Sequence, residues 1–175
     1  MAAHLLDGNL RTLSLLRDGY AGEPAGEITF YADLLAYLNR LNAEWVTTAR
    51  RLSPAVLIDW LAASGAEYAQ FLVTLDPGAP AAFAVAWAGE TESPNWLHIA
   101  RDYTEKWYHQ QQIREAVGQT AALLTPELFR PFLEIVVRGL PHAYRVVDAP
   151  TGTVVQVAVQ GPSGGTWRLL RGPSA

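Results

Sequence analysis

Asn95-Trp-Leu-His-Ile-Ala-Arg-Asp-Tyr-Thr-Glu-Lys-Trp-Tyr-His-Gln-Gln-Gln-Ile-Arg-Glu-Ala-Val-Gly118 reads as one long helix. Ser93-Pro94 opens it as a cap followed by a proline at the first helical position, and Gly118 closes it. At about 100° per residue, Asp102, Glu105, His109 and Gln112 share a sector with Ile113, Ala116 and Val117, so that sector is expected to look inward. Gln110, Gln111, Arg114 and Glu115 fall on the other side. A carboxylate facing a core is costly unless a cation or several donors meet it, and a metal ion would satisfy both Glu105 and His109. Spacing alone leaves a second reading open, in which Glu105 and His109 are a hydrogen-bonded or solvated pair without metal.

Working outward, the chain before this helix is helical as well. His4 to Arg17 carries Leu6, Leu10 and Leu13 as one stripe and stops at Asp18-Gly19. A loop, Gly22 to Gly26, leads to a second helix over 29–51 with Leu34, Leu38, Leu41 and Trp45 at helical spacing. Ser53-Pro54 starts a third, which runs to Leu75 and ends at Asp76-Pro77-Gly78. Residues 79–94 read as an ordered connection with one short extended piece. Thr125-Pro126 opens a last helix over 127–138. After Pro141 the pattern changes to period two: Ala143 to Val147, Val154 to Val159 and Thr166 to Leu170, separated by Pro150-Thr-Gly152 and Gly161-Pro-Ser-Gly-Gly165, predict a three-stranded antiparallel meander.

Composition narrows the function classes. With 175 residues, half of them hydrophobic, the chain can bury a real core. Lys plus Arg number 13 against 17 for Asp plus Glu, and no basic run occurs, which disfavours nucleic-acid partners. There is no cysteine, so disulfides, thiolate metal ligands and a protein-borne thiol nucleophile are excluded, and any sulfur chemistry must use an external thiol. No apolar stretch approaches the roughly 18 residues that span a bilayer and no leader opens the chain, so a soluble cytoplasmic protein is expected.

Four motifs occur in order: Ala3-His-Leu-Leu-Asp-Gly8, Trp87-Ala-Gly-Glu90, Glu105-Lys-Trp-Tyr-His-Gln-Gln-Gln-Ile-Arg114 and Gly164-Gly-Thr-Trp167. Together they resemble the mycothiol-dependent maleylpyruvate isomerase-like family of the DinB-like superfamily. The resemblance implies a mainly α fold, a four-helix bundle over 1–140 with a short β tail, 141–175, like the opening of a sterol-carrier-like domain. It also implies a divalent metal, zinc in many members, held by His4, Glu105 and His109. Three nitrogen and oxygen ligands with an open position is the pattern of a catalytic site. On the helical wheel His4 lies opposite the Leu6, Leu10, Leu13 stripe, so its role rests on the resemblance. Gln112 stands where many isomerase members have Asp, and a neutral amide cannot take a proton as a carboxylate can.

The family's usual first helix has no counterpart ahead of His4, and its C-terminal domain is normally much longer than 141–175. These departures predict an apolar groove along Leu6, Leu10 and Leu13 and unpaired strand edges, covered in a two-fold dimer or by the chain's own tail. The function expected is a metal-dependent enzyme that activates a low-molecular-weight, mycothiol-like thiol for isomerisation or S-transfer on an electrophilic small molecule. The alternative is a non-catalytic metal- or small-molecule-binding bundle. His98 reads as a helix-end residue or a support to the site, and His142 as structural or solvated. The tryptophans read as core or bundle-edge aromatics, and Arg168 and Arg171 as exposed.

Overall fold

Helix starts and stops follow the local chemistry of the chain, seen in a computed structural model that describes residues 1–22 and 25–173. The Gly22 to Gly26 loop therefore lies partly outside the described residues. The structure is mainly α with a short antiparallel β hairpin near the C-terminus, as expected. It divides into two compact units, Met1–Asp76 and Pro77–Ala175.

The first unit holds α1 (Ala2–Thr12, continued by a π turn, Leu13–Arg17), α2 (Tyr31–Ala49) and α3 (Pro54–Leu72). Gly19, at φ 67°, takes the left-handed conformation that ends α1. The Asp33 carboxylate caps α2 by accepting from the Phe30 N–H at 2.7 Å. Ser53 caps α3, its Oγ accepting from Val56 N–H, with Pro54 at the first position. α1 packs along α3 and on α2. Leu6 and Leu13 are fully or nearly buried there, as are Ala49 and Tyr68. The expected open groove along Leu6, Leu10 and Leu13 is thus corrected: of the three only Leu10 is exposed. Small residues permit the close approach, with Asn9 donating to Ser64 Oγ at 3.2 Å beside Gly65. The indole of Trp45 on α2 donates to the Ala3 carbonyl at 2.8 Å and ties down the start of α1, where an unsupported terminus would fray.

The second unit holds α4 (Asn95–Ala116), α5 (Pro126–Val136), α6 (Leu140–Ala143), β1 (Val154–Val159) and β2 (Gly165–Leu170), with short 3-10 turns between them. The connection before α4 contains an isolated bridge between Pro80 and Pro94 and the turn Ala86–Ala88. Its Gly89 has φ 86° and packs under the His142 ring, where any β-carbon would collide, which gives His142 its expected structural place. Ser93 does not cap α4: Pro94 takes the cap position, and the Ser93 hydroxyl turns inward to accept from the Val85 N–H at 3.0 Å.

Trp107 organises the core of this unit. Its ring lies 4.2 Å from that of Phe132 and 4.9 Å from that of Phe129, centroid to centroid, and its Nε1 donates to the Leu123 carbonyl. Leu123 and Leu133 are buried with it. The predicted three-stranded meander is a two-stranded hairpin, β1 against β2 in the register Val154↔Leu170 to Val159↔Gly165. The first expected strand is absent because Leu140–Ala143 continues as helix, and Tyr144 N–H, Arg145 N–H and Val147 N–H donate to the carbonyls of Leu140, His142 and Tyr144. Those local bonds consume the amides that a ladder would need.

Candidate metal centre

The rotation of α4 about its axis is set by Trp107, and this decides where the chemical groups point. Residues two positions away lie roughly 160° around a helix, so Glu105 and His109 leave α4 almost opposite the buried indole. The expected inward sector is therefore corrected. It is buried at His98 but opens toward Glu105, whose side chain is 48% exposed, and ends at exposed Ala116 and Val117. The buried face of the second half of α4 is Trp107 and Gln111, and Gln111 donates to the Thr120 carbonyl at 2.9 Å. A polar residue can sit on the core face because a chain carbonyl at the next turn receives its amide.

Glu105 and His109 are brought together. The His109 ring is only 14% exposed, and its Nε2 lies 2.9 Å from Glu105 Oε1. Its Nδ1 lies 2.8 Å from Gln112 Oε1. The Gln112 amide can turn either its oxygen or its NH2 to Nδ1, so both ring nitrogens are held by side-chain partners on α4. The contact with Glu105 is that of a ring N–H donating to a carboxylate, and the same two atoms are of the kind a divalent ion takes. Beside them, burial pulls the Lys106 ammonium below the usual lysine range, and Asp102 and Glu105 restore part of it.

His4 sits half-buried on α1 in the first unit. Its Nδ1 lies 2.7 Å from Asn42 Oδ1 on α2. Asp7, one turn on, is buried; burial raises its pKa, while its ion pair with Arg11 at 2.9 Å and the nearby His4 oppose the rise. Asp7 shares the His4 side of the wheel, opposite the leucine stripe, yet is 6% exposed, so that side of the helix is not simply an outer face. Each of His4, Glu105 and His109 offers a ligand atom of the kind a divalent ion takes. Two imidazoles and one carboxylate form a borderline donor set that suits zinc and its neighbours. The residues present fit such an ion.

A family model described as the mycothiol maleylpyruvate isomerase N-terminal domain matches residues 1–114. The chain belongs to that family. No curated protein and no solved structure matches it. The family match covers His4, Asn42, Glu105, His109 and Gln112, and ends before α5 and the hairpin. It implies a small-molecule substrate and fits a thiol partner. Among the described residues no helix is long and apolar enough to cross a membrane.

The remaining candidates take other roles in this family member. His98 is buried against the Phe83 ring, 6.2 Å between centroids, and so takes a place in the core of the second unit. Trp96 is exposed under the Arg138 guanidinium, and Arg168 donates across the hairpin to Gln156 at 3.0 Å. Asn42 escaped the sequence reading. A signal was available, since it follows Leu38 by four and precedes Trp45 by three, a polar side chain within an apolar stripe.

Proposed function

We propose that His4, Glu105 and His109 hold one divalent metal, with zinc the best match, and that the protein uses it in the cytoplasm to activate a low-molecular-weight thiol toward an electrophilic small molecule. The observation that carries this reading is His109 Nε2 set 2.9 Å from Glu105 Oε1, with Gln112 Oε1 2.8 Å from Nδ1. Membership of the family supports it. The chemistry a bound ion supplies is Lewis acidity, which favours the thiolate form of an external thiol near neutral pH. The chain itself supplies two imidazole nitrogens and a carboxylate, and its lack of cysteine means that the reacting sulfur comes from outside. Gln112 holds the ligand ring and takes no proton, so isomerisation would rest on addition and elimination of the thiol rather than on a base at that position. Residues 141–175 belong to the same proposal as a short tail resembling the start of a sterol-carrier-like domain, appended to a metal-binding region over 1–140.

Metal analysis of protein purified without chelator tests the first step. Stoichiometric divalent metal is expected, lost in His109→Ala, and held less tightly as the medium is acidified because protons compete for the ligand nitrogens. Unchanged metal content in His109→Ala overturns the ligand assignment. The second step is read as metal-dependent conjugation of mycothiol or bacillithiol to a panel of electrophiles, slowed by Glu105→Gln. Stoichiometric metal without any turnover would make the protein a metal- or small-molecule-binding bundle instead.

A further inference from the structure

A cleft of about 350 Å³ opens on the first unit, between the C-terminal end of α1 with its π turn and the middle of α3. That volume lies within the range of small-molecule sites. One wall is Leu10, Leu13, Ser14 and Arg17, and the other is Trp60, Ala63, Ser64 and Glu67. In each set the later residues follow the first by three, four and seven positions, so each wall is one face of its helix. The space is left open because Ser14, Ala63 and Ser64 are too short to fill it. Its two ends differ in chemistry. Arg17 meets Glu67, which brings the charged ends of both walls together, and Leu10 and the exposed Trp60, seven residues earlier on each helix, lie about 10 Å back along the axis. We propose that this cleft binds a small organic cation, its ammonium against the Asp18 and Glu67 carboxylates and its flat apolar body against the Trp60 indole.

The charged end selects the sign of the ligand. The Arg17 guanidinium is already engaged on both sides: its Nε and Nη2 donate to the two Asp18 oxygens at 2.7 and 3.0 Å, and its Nη1 donates to Glu67 Oε2 at 2.9 Å. Two carboxylates against one guanidinium leave this end with a net negative charge. The hydrogen bonds from Arg17 hold the Asp18 carboxyl below the usual carboxylate range, so the charge persists at neutral pH. The last carbonyls of the helix add partial negative charge. An anion would have to displace a carboxylate from Arg17, whereas an ammonium joins the network as a donor. At the other end an indole and a leucine favour an apolar body, which a hydrated inorganic ion does not offer. The π turn Leu13–Arg17, closed by the Asp18 N–H on the Leu13 carbonyl at 3.1 Å, shapes the wall that carries Arg17, and such single turns recur at functional sites. The cleft lies wholly within the first unit and does not depend on the metal reading.

Titration of the full chain with phenethylammonium, hydrocinnamate and hydrocinnamyl alcohol tests the proposal, since the three carry a cation, an anion and a neutral group on the same ring. Nitrogen-15 NMR at about pH 7, where the amine is charged, should show saturable shifts with phenethylammonium at the Trp60 indole N–H and at the amides of Ser14, Asp18 and Ser64. The alcohol should bind more weakly and hydrocinnamate most weakly. Glu67→Gln should weaken the ammonium about 2- to 5-fold and leave the alcohol unchanged. Ala63 is exposed, so Ala63→Leu fills the cleft without touching the ion pairs and should abolish saturable binding while the rest of the amide spectrum stays native. The proposal is overturned if phenethylammonium gives no saturable shifts at these positions, if hydrocinnamate binds as tightly, if Glu67→Gln leaves the preference for the cation intact, or if a natively folded Ala63→Leu protein still binds.

Discussion

At His98 a titratable ring is placed where charge is unwelcome. Burial holds its pKa below the ordinary 6.5, Arg101 adds to that, and Asp102 and a hydrogen bond with the Phe83 backbone oppose it. As the medium is acidified the unfolded chain therefore takes up this proton before the folded one does. The stability that comes from keeping His98 neutral is complete above 6.5 and is lost as pH falls through the lower, folded-state value. The contribution of His98 to the urea midpoint should accordingly be level above 6.5 and decline as the medium is acidified below it, and His98→Phe should flatten part of that decline. A variant with the same pH dependence as the unaltered protein would show that His98 is not the group responsible. The wheel placed this residue near Glu105 and could not show that Phe83, fifteen positions earlier, would cover it. Tertiary neighbours decide what a ring does, and they are the part of the site that sequence periodicity does not carry.

Elements that are closed by local chemistry were legible in the sequence, and those settled by distant partners were not. Ser53-Pro54 caps α3 as read, because serine, proline and the first turn are contiguous. The same pair at Ser93-Pro94 behaves differently, because Val85 N–H offers the serine a buried partner. The Gly164-Gly-Thr-Trp167 motif belongs to this second class. Arg130 on α5 donates to the Gly164 carbonyl at 2.7 Å and lies over the Trp167 ring, while Trp167 donates to Glu134 at 3.1 Å and Glu134 accepts from Arg130 at 2.6 Å. A β-carbon on Gly165 would run into Arg130, and one on Gly164 into the Val159 backbone. Gly165→Ala should therefore unseat the hairpin from α5 at a cost of about 1–3 kcal/mol. Gly164→Ala should cost more, since backbone yields less than a long side chain. Hydrogen exchange at Val155 and Val157 is the measurement: unchanged protection in both variants would mean that the hairpin does not depend on this contact.

For the molecule as a whole, the family was legible in the three motifs that fall within residues 1–114 and the mainly helical fold with it, whereas the number of strands and the covering of Leu6 and Leu13 were not. The expected dimer now has a different candidate surface. Phe30, Tyr31, Leu35 and Leu38, at the start of α2, are 70%, 56%, 41% and 37% exposed. Apolar rows of this kind favour a second copy. Light scattering at micromolar concentration should give a dimer, and the paired change Leu35→Glu with Leu38→Glu should give a monomer with an unaltered far-ultraviolet spectrum. A monodisperse monomer from the unaltered protein would remove the proposal.

Trp107 and the Glu105–His109 pair leave α4 in opposite directions, and this has a bearing on how such a protein can change over generations. Asp102 and Gln112, each five residues from Trp107, lie roughly 140° away from it as well. A descendant sequence can therefore revise the Glu105–His109 side of the helix while the aromatic cluster on the other side goes on being inherited intact. Divergence of chemistry and retention of the fold become separable lines of descent along a single element.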